Sequence, residues 1–475
     1  MPILHRPDIC VIGAGSGGLT VAAAAASFGV PVVLIERGKM GGDCLNYGCV
    51  PSKALIAAGK QAHRLSQAAA FGVSSPAPEI DFDETMRHVR RAIAAIAPND
   101  SVERFTALGV TVIPAEARFT DPRTVVAGDH EIRARRFVIA TGSSPVVPPI
   151  PGLDGIPFLT NETIFEQESR PGHLVIIGGG PVGMELAQAH RRLGSDVTVI
   201  EAGVALGKED PELAAVVLRQ MRTEGVEIIE HAKVLRAERN GVAGIRVHVE
   251  GAEVSRTVEG SHLLVAAGRR PNLEALALER AGIAYDAKGI QVSGKLRTTN
   301  RRVYAIGDVA GGLQFTHVAN HHAGLVIRAL LFRLPARQRP GLIPRATFTD
   351  PELAHIGITE AEARESGGKV TVLRSPFAEN DRAQTERLTQ GFIKLIAGPR
   401  GRILGVSIVG QGAAEMMHFW SLALSKRLTL RDIAGYVAPY PTLGEVGKRM
   451  ALSYYAGVAG NHLVRRLVGF LRLFG

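Results

Sequence analysis

Short apolar runs alternate with helical patterns along this chain, and the order strand, glycine-rich turn, helix, strand occurs twice. In the first copy, Ile9-Cys10-Val11-Ile12 and Val32-Val33-Leu34-Ile35 predict buried strands around an alanine-rich helix. In the second copy, Leu174-Val175-Ile176-Ile177 and Val197-Thr198-Val199-Ile200 lie on either side of a helix expected from Met184 to Leu193. Strands that alternate with helices in this way predict an α/β fold with parallel sheets.

The turns of both copies carry the G-x-G-x-x-G spacing of dinucleotide-binding proteins. In the first copy, Gly13 permits a tight turn and Gly15 lets the backbone approach a pyrophosphate at the helix N-terminus. The second strand of each copy ends in an acid, Glu36 or Glu201, which is placed to accept a hydrogen bond from a ribose hydroxyl. The motif glycines are Gly13, Gly15 and Gly18 in the first copy, and Gly178, Gly180 and Gly183 in the second. Two complete motifs predict two Rossmann-like domains, one for a flavin and one for a nicotinamide.

The residues that follow Glu201 bear on which nicotinamide is bound. A carboxylate suits a free 2′-hydroxyl, whereas a 2′-phosphate favours a nearby arginine. After Glu201 the chain continues Ala-Gly-Val-Ala-Leu and has no arginine or lysine before Lys208. We therefore expect NADH rather than NADPH.

The stretch Gly41–Lys53 carries the candidate redox chemistry, because it places Cys44 and Cys49 five positions apart. A helix is expected to follow, from Ser52 to Ala70. A disulfide needs Cα atoms about 4.4–6.8 Å apart, whereas five residues of regular helix rise about 7.5 Å, so we expect a distorted turn at Gly48. A helix N-terminus also lowers the pKa of a nearby thiol. These features favour a redox-active disulfide over two buried cysteines that never pair.

Composition narrows the function classes. Among 475 residues there are only three cysteines, so a disulfide scaffold is not expected, and Cys10 is predicted to be a core residue. The net charge of +10 comes from scattered arginines and lysines, and aromatic residues are sparse, so we expect no nucleic acid partner. No apolar run reaches the roughly 20 residues of a membrane span, and the first residues do not resemble a signal peptide. We expect a cytoplasmic protein without a metal site.

The motifs together resemble those of the class I pyridine nucleotide–disulfide oxidoreductases, which include dihydrolipoamide dehydrogenase, glutathione reductase and mercuric reductase. The resemblance extends to about Met450, and its most specific motif is Gly41–Lys53. Ala140-Thr141-Gly142, the segment Ala267-Gly268-Arg269-Arg270-Pro271-Asn272, and Ala305-Ile306-Gly307-Asp308 also match the family pattern.

The resemblance implies roles for individual residues. Asp308 would bind the ribitol of FAD, and Lys53 would lie beside the flavin and pair with Glu185. Cys49 would contact the flavin, and Cys44 would meet the substrate. Further FAD-binding residues would be Gly42, Thr141 and Gly142, and Gly268 would belong to the NAD site.

The resemblance also implies the domain organisation. A split FAD-binding domain would cover 1–150 and 272–343, with a NAD-binding domain inserted at 151–271. An α+β interface domain at 344–450 would form a homodimer.

The segment near the C-terminus departs from the pattern of family members that act on thiols. Those members carry a histidine, held by a glutamate, that moves protons at the interchange thiol across the dimer. Here Glu445 matches the glutamate, but Tyr440 stands in the place of the histidine. A free imidazole titrates near 6.5 and a free phenol near 10, so Tyr440 is a poor base at neutral pH. Mercuric reductases resemble this chain in having a tyrosine there, but their C-terminal cysteine pair is missing from this sequence.

The residues 451–475 form a basic amphipathic tail. Leu463, Leu467, Phe470, Leu471 and Phe474 recur at helical spacing, and Arg465, Arg466 and Arg472 fall largely on another face. The pattern leaves two alternatives open: contact with the inner face of an anionic membrane, or docking on the protein's own surface.

Three functions remain open at this point. The leading hypothesis is an enzyme that passes electrons from NADH through FAD and a Cys44–Cys49 disulfide to a metal ion, a quinone or a disulfide. The second is a dihydrolipoamide dehydrogenase, against which Tyr440 argues. The third is a membrane-associated flavoprotein that acts as a redox sensor or scaffold.

Overall fold

The computed structural model describes residues 2–74, 76–241, 244–251, 255–456 and 461–474. The chain forms two compact units. The first contains residues 1–204 and 226–338, and the second contains residues 205–225 and 339–475. Each unit mixes helices with sheets, which confirms the predicted α/β class.

The strands found in the described ranges are β1 (Ile3–His5), β2 (Ile9–Ile12), β3 (Val32–Glu36), β4 (Thr111–Pro114), β5 (Ala117–Asp121), β6 (Thr124–Ala127), β7 (His130–Ile132), β8 (Arg136–Ile139), β9 (Ser143–Pro145), β10 (His173–Ile177), β11 (Asp196–Ile200), β12 (Val226–Ile229), β13 (Ala232–Asn240), β14 (Gly244–Gly251), β15 (Ser255–Gly260), β16 (His262–Val265), β17 (Arg269–Pro271), β18 (Tyr285–Asp286), β19 (Gly289–Ile290), β20 (Val303–Ala305), β21 (Arg345–Thr347), β22 (Glu352–Gly357), β23 (Thr371–Pro376), β24 (Phe392–Ala397) and β25 (Ile403–Gly410).

The α-helices in the same ranges are α1 (Ser16–Ser27), α2 (Gly42–Asn46), α3 (Cys49–Ser66), α4 (Phe82–Ile96), α5 (Val102–Ala107), α6 (Pro181–Arg192), α7 (Pro211–Thr223), α8 (Thr316–Leu331), α9 (Glu360–Glu365), α10 (Asp381–Thr385), α11 (Ala413–Ser425), α12 (Leu430–Gly435), α13 (Glu445–Ala456) and α14 (His462–Leu471).

The first unit contains two parallel sheets of the expected kind. One has the order β20-β8-β2-β3-β4, and the other the order β12-β11-β10-β16. The four strands predicted from apolar runs lie at the centres of these sheets as β2, β3, β10 and β11, and their residues are largely buried. Strand β20 comes from the far side of the intervening sequence and completes the first sheet.

Smaller sheets complete the first unit. The sheet β1-β7-β6-β5 precedes the second Rossmann-like segment, and β13-β14-β15 forms an antiparallel sheet within it. Strands β9 and β17 pair antiparallel, which brings Ser143 opposite Pro271. This pairing positions the Thr141–Gly142 turn beside the segment that follows Gly268.

The second unit is built on the antiparallel sheet β21-β22-β25-β24-β23. Helix α11 packs on β22 and β25, and α13 packs on β23 and α12. Their apolar residues share one core that includes Trp420, Ile408 and Met450. This unit matches the α+β domain expected at the C-terminal end.

Two features of the domain organisation differ from those expected. Residues 205–225 were assigned to the NAD-binding domain, but they cluster with the second unit because α7 packs on β22 and β25. The buried Lys394 also binds Asp210, just before that helix, at 2.7 Å. Helix α13 continues to Ala456, so the tail does not begin at 451 as a separate element.

Candidate redox site

The cysteine stretch folds as two helices separated by Tyr47 and Gly48. Cys44 lies in α2, and α3 begins at Cys49, three residues earlier than the predicted helix start at Ser52. The early start arises because the Ser52 N–H already donates to the Gly48 carbonyl at 3.1 Å. A Cβ atom at Gly48 would lie 2.8 Å from Asp43 Oδ2, so a side chain there would crowd the turn. The other end also differs, since α3 ends at Ser66 and a 3₁₀ turn covers Ala68–Phe71.

The two thiols are hydrogen-bonded to each other and have unequal acidity. Both cysteines are free, so the structure shows the reduced form of the pair. The hydrogen bond with Cys44 lowers the pKa of Cys49 to about 6, assisted by the Thr316 hydroxyl and the positive charge of Lys53. The same bond, together with burial, raises the pKa of Cys44. At neutral pH the reduced pair therefore holds one thiolate, at Cys49, and one thiol, at Cys44.

Thr316 is a contact of the redox pair that sequence reasoning missed. It is the first residue of α8, and its Oγ1 lies 3.2 Å from Cys49 Sγ. A hydroxyl can donate to a thiolate, so Thr316 stabilises the charged form of Cys49. The only sequence signal is its position shortly after the Gly307-Asp308 motif.

Lys53 and Glu185 form the ion pair that the family resemblance implies. Lys53 Nζ lies 2.6 Å from Glu185 Oε2, and the glutamate side chain is only 7% exposed. Lys53 extends from α3 and Glu185 from α6, which pack against each other. The ion pair with this buried carboxylate holds the Lys53 side chain close to the redox pair.

The first glycine motif has the geometry of a pyrophosphate site. Gly13 has a φ of +103°, and a Cβ there would lie 2.4 Å from the Ala140 carbonyl oxygen. Gly15 precedes α1 without any side-chain cap, and a Cβ there would meet open space. A Cβ at Gly18 would lie 1.9 Å from Gly13 O, so this close helix–turn contact requires glycine. The uncapped N–H groups and the open approach suit the phosphates of FAD.

Glu36 and Gly42 connect that motif to its surroundings. Glu36 Oε2 accepts from the Ala14 N–H at 2.6 Å, which places the carboxylate at the turn where a ribose would lie. A Cβ at Gly42 would lie 2.7 Å from Gly15 Cα, so the cysteine stretch packs directly on the glycine turn. The redox pair and the predicted flavin site are therefore adjacent.

A chain of polar contacts connects Asp308 to the cysteine stretch. Ser143 Oγ donates to Asp308 Oδ2 at 2.6 Å and accepts from Arg269 Nε at 2.8 Å. Arg269 Nη2 in turn lies 3.1 Å from Asp43 Oδ1. Burial raises the pKa of Asp308, whereas Ser143 and Arg269 lower it. Asp43 and Arg269 were not predicted as site residues, although Arg269 lies in a motif that matched the family pattern.

Hydrogen bonds connect the turn at Thr141 and Gly142 to the neighbouring Asn272. Thr141 Oγ1 donates to the Asn272 carbonyl at 2.8 Å, and Asn272 Nδ2 donates to the Thr141 carbonyl at 3.0 Å. The Asn272 N–H donates to Gly142 O at 3.0 Å. These bonds hold the end of β8 beside β17 and thereby position Asp308 and Arg269.

The second glycine motif repeats the geometry of the first. Gly178 has a φ of +113°, and a Cβ at Gly183 would lie 2.0 Å from Gly178 O. Gly180 precedes α6 without a side-chain cap and faces open space. Glu201 Oε2 accepts from the Gly179 N–H at 2.7 Å, and its other oxygen accepts from Gly203 at 2.8 Å. Gly268, at a φ of +123°, lies directly before β17.

Tyr440 and Glu445 belong to the second unit. The Tyr440 hydroxyl donates to Asp381 Oδ2 at 3.0 Å, and its side chain is 70% exposed. Asp381 was not predicted, and its negative charge raises the pKa of Tyr440. Glu445 is the first residue of α13. The phenol is therefore protonated at neutral pH and acts as a hydrogen-bond donor.

Asp43 is expected to contribute to the acidity of the redox pair, after the larger effects of the Cys44–Cys49 hydrogen bond and of burial. Its carboxylate raises the pKa of both cysteines, and Arg269 and Asn161 hold it in place at 3.1 and 3.0 Å. Asp43→Asn should therefore shift the pH midpoint of the Cys49 thiolate absorbance downward, and Arg269→Gln should shift it upward. The measurement is a pH titration of the reduced enzyme at long wavelength, with Asp286→Asn as a surface control. Shifts of the same sign in both variants would contradict this electrostatic role.

Two family models match the chain, one after the other. Residues 7–323 match the family model described as pyridine nucleotide-disulphide oxidoreductase, and residues 343–451 match the dimerisation domain of that family. The chain is 34% identical over 450 residues to a mercuric reductase from Bacillus cereus, covering 94% of this chain and 71% of that protein. It is 32% identical to a dihydrolipoyl dehydrogenase from Geobacillus stearothermophilus, covering 94% and 95%.

A solved structure is similar over nearly the whole length. It is the Cu(II) complex of the HOCl-induced flavoprotein disulfide reductase RclA from Escherichia coli, with a TM-score of 0.83 and 29% identity. The match covers 93% of this chain and 99% of that one.

The chain belongs to the pyridine nucleotide-disulphide oxidoreductase family. It is therefore an FAD-dependent enzyme that uses NAD(P)H, and its dimerisation domain supports a homodimer. Within the described ranges, no helix is both long enough and apolar enough to cross a membrane.

Proposed function

We propose that the enzyme passes electrons from NADH through FAD to the Cys44–Cys49 pair, and from there to a thiol-binding metal ion. The observation that carries this proposal is the hydrogen bond from Tyr440 to Asp381, which leaves a phenol of raised pKa where thiol-specific relatives carry a base. A soft metal ion binds sulfur strongly enough to displace the proton of a thiol as it binds, so this step depends little on a base at that position. Two relatives support this class of acceptor: one is named mercuric reductase, and the RclA structure is a Cu(II) complex.

The electrons and protons balance at the cysteine pair. FAD, when bound, supplies the two-electron step between the nicotinamide and the disulfide. The Cys44–Cys49 disulfide takes up two electrons and one proton, giving the Cys49 thiolate and the Cys44 thiol. When two electrons leave for the acceptor, the disulfide forms again and the Cys44 proton is released. These two electrons reduce either one metal ion that accepts both of them or two metal ions that accept one electron each.

In this proposal, Lys53 and Thr316 stabilise the reduced form of the cysteine pair. Both favour the Cys49 thiolate, since one supplies a positive charge and the other a hydroxyl at 3.2 Å. Glu185 holds Lys53 in place at 2.6 Å. Cys44, which keeps its proton, is the residue that would meet the acceptor.

A dihydrolipoamide dehydrogenase is the second candidate. Glu445 at the start of α13 favours it, as does the similarity to relatives with that name. Tyr440 argues against it, because exchange with a dithiol needs a group that titrates near neutrality. Among the residues that the structure describes, no specific contact favours a quinone acceptor or a non-catalytic redox sensor.

An acceptor panel tests the proposed function. With NADH as the reductant, we expect faster turnover with Cu(II) or thiol-complexed Hg(II) than with lipoamide or a quinone. NADPH should be slower by roughly tenfold or more, because Glu201 repels a 2′-phosphate. The readout is the initial rate of reduced nicotinamide oxidation, with Cys44→Ser as the control for direct reduction by the flavin. Brisk lipoamide turnover would favour the second candidate, and a preference for NADPH would overturn the role given to Glu201.

A further inference from the structure

The C-terminal helix α14 presents a continuous apolar face to solvent. Leu463, Leu467, Phe470, Leu471 and Phe474 are each more than half exposed, and Phe470 and Phe474 pack edge to face at 5.1 Å. No residue of α14 is buried. Asn461 caps the helix, its Oδ1 accepting from the Leu463 N–H at 2.9 Å, so this is a defined helix start. An apolar surface of this size on a short terminal helix indicates an interaction site.

The opposite face of the same helix is cationic. Arg465, Arg466 and Arg472 are all exposed; Arg465 and Arg472 lie opposite the apolar stripe, and Arg466 lies at its edge. No aspartate or glutamate follows Glu445 in the whole sequence, whereas Lys448 and Arg449 precede the tail on α13. The sequence of the C-terminal region therefore carries a net positive charge.

Three occupants could cover the apolar face. Docking on the protein's own surface would bury part of α14, but within residues 461–474 every large apolar side chain apart from Val464 is exposed. Pairing with the same helix of a second copy would bring two groups of arginines close together. An anionic lipid bilayer can contact both faces of the helix. Its acyl chains would bury the leucines and phenylalanines, and its headgroups would attract the arginines.

We propose that α14 lies in the interface of an anionic lipid bilayer and anchors the enzyme peripherally. The helix has only ten residues, so it lies along the surface and does not span the membrane. The charge complementarity selects anionic over neutral lipid. This proposal does not depend on which acceptor the Cys44–Cys49 pair reduces.

Vesicle sedimentation of the full-length holoenzyme tests the proposal. We expect binding at low salt to vesicles that contain about one-third phosphatidylglycerol, and little binding to phosphatidylcholine alone. Removing residues from Asn461 onward should abolish binding. Arg465→Gln combined with Arg466→Gln should weaken binding by about 30-fold, since each arginine near an anionic surface contributes about fivefold. Leu467→Asp should weaken binding through the apolar face, whereas the same change at Leu235, which is about half exposed and lies elsewhere, should not.

Measurements on the same set of variants also include the outcomes that would contradict the proposal. Flavin absorbance and NADH oxidation should stay unchanged in every variant, which shows that the fold and the proposed function are intact. If the full-length protein ignores anionic vesicles at low salt, the proposal fails. Equal binding to neutral vesicles would overturn the headgroup contact. A change of oligomeric state on Leu467→Asp, measured by light scattering, would assign the face to a second copy instead.

Discussion

Cys44→Ser is expected to leave an enzyme that shows thiolate-to-flavin absorbance without any reduction. With its partner removed, Cys49 cannot form a disulfide, and Thr316 and Lys53 still favour its thiolate. Cys49→Ser should show no long-wavelength band in any state. Turnover with the acceptor should fall by about three orders of magnitude in both variants, because neither can form the dithiol. Absorbance spectra of the oxidised and NADH-reduced proteins, together with NADH oxidation rates, test this expectation.

Cys10→Ser is the matched control for these variants, because Cys10 is a buried cysteine of strand β2 that takes no part in the pair. It should keep both the band and the turnover if it folds. A band that persists in Cys49→Ser would show that the roles of the two cysteines are exchanged. Full turnover in Cys44→Ser would show that electrons reach the acceptor directly from the flavin.

Tyr440→His should raise turnover with lipoamide or glutathione disulfide by up to about 10²–10⁴-fold, the usual contribution of a positioned acid–base group. An imidazole titrates near neutrality, whereas Asp381 raises the pKa of the Tyr440 phenol. Glu445 is already present to orient the ring. Rates with metal ions should change much less, because a metal ion that binds sulfur can displace the thiol proton without a base at that position. The measurement is the ratio of disulfide to metal turnover in the two proteins.

Tyr440→Phe separates a proton-transfer effect from a change of shape. It removes the hydroxyl and its bond to Asp381 but keeps the ring. Metal turnover should survive this change nearly intact. If Tyr440→His leaves the ratio unchanged while the protein stays folded and binds flavin, the residue does not determine the class of acceptor.

The Rossmann-like units could be predicted because their signals are local. An apolar run, two closely spaced glycines and a terminal acid lie within some thirty residues of each other. Each of these residue types is required by one local feature of the fold. Gly13 and Gly178 adopt positive φ, and a Cβ at either would collide with a facing carbonyl. The Glu36 and Glu201 carboxylates bond to the turns that they follow in sequence. The cysteine pair could also be predicted, because both cysteines lie within one short stretch of sequence.

The contacts that sequence reasoning missed join residues distant along the chain. Asp43 binds Arg269 and Asn161, and Cys49 contacts Thr316 more than 260 positions away. Such pairs leave no periodic pattern, since only the packing of separate segments brings them together. The clustering of residues 205–225 with the second unit was likewise not predicted. Asp210 and Lys394 are distant along the chain, and their ion pair forms only when the second unit folds.

Anaerobic titration of the purified enzyme with NADH tests the proposed electron path most directly. The first equivalent should reduce the Cys44–Cys49 disulfide and produce the long-wavelength absorbance of the Cys49 thiolate, with the main flavin band largely retained. The second equivalent should then bleach the flavin. Bleaching by the first equivalent, without a long-wavelength band, would show that the cysteine pair takes no electrons and would contradict the central proposal.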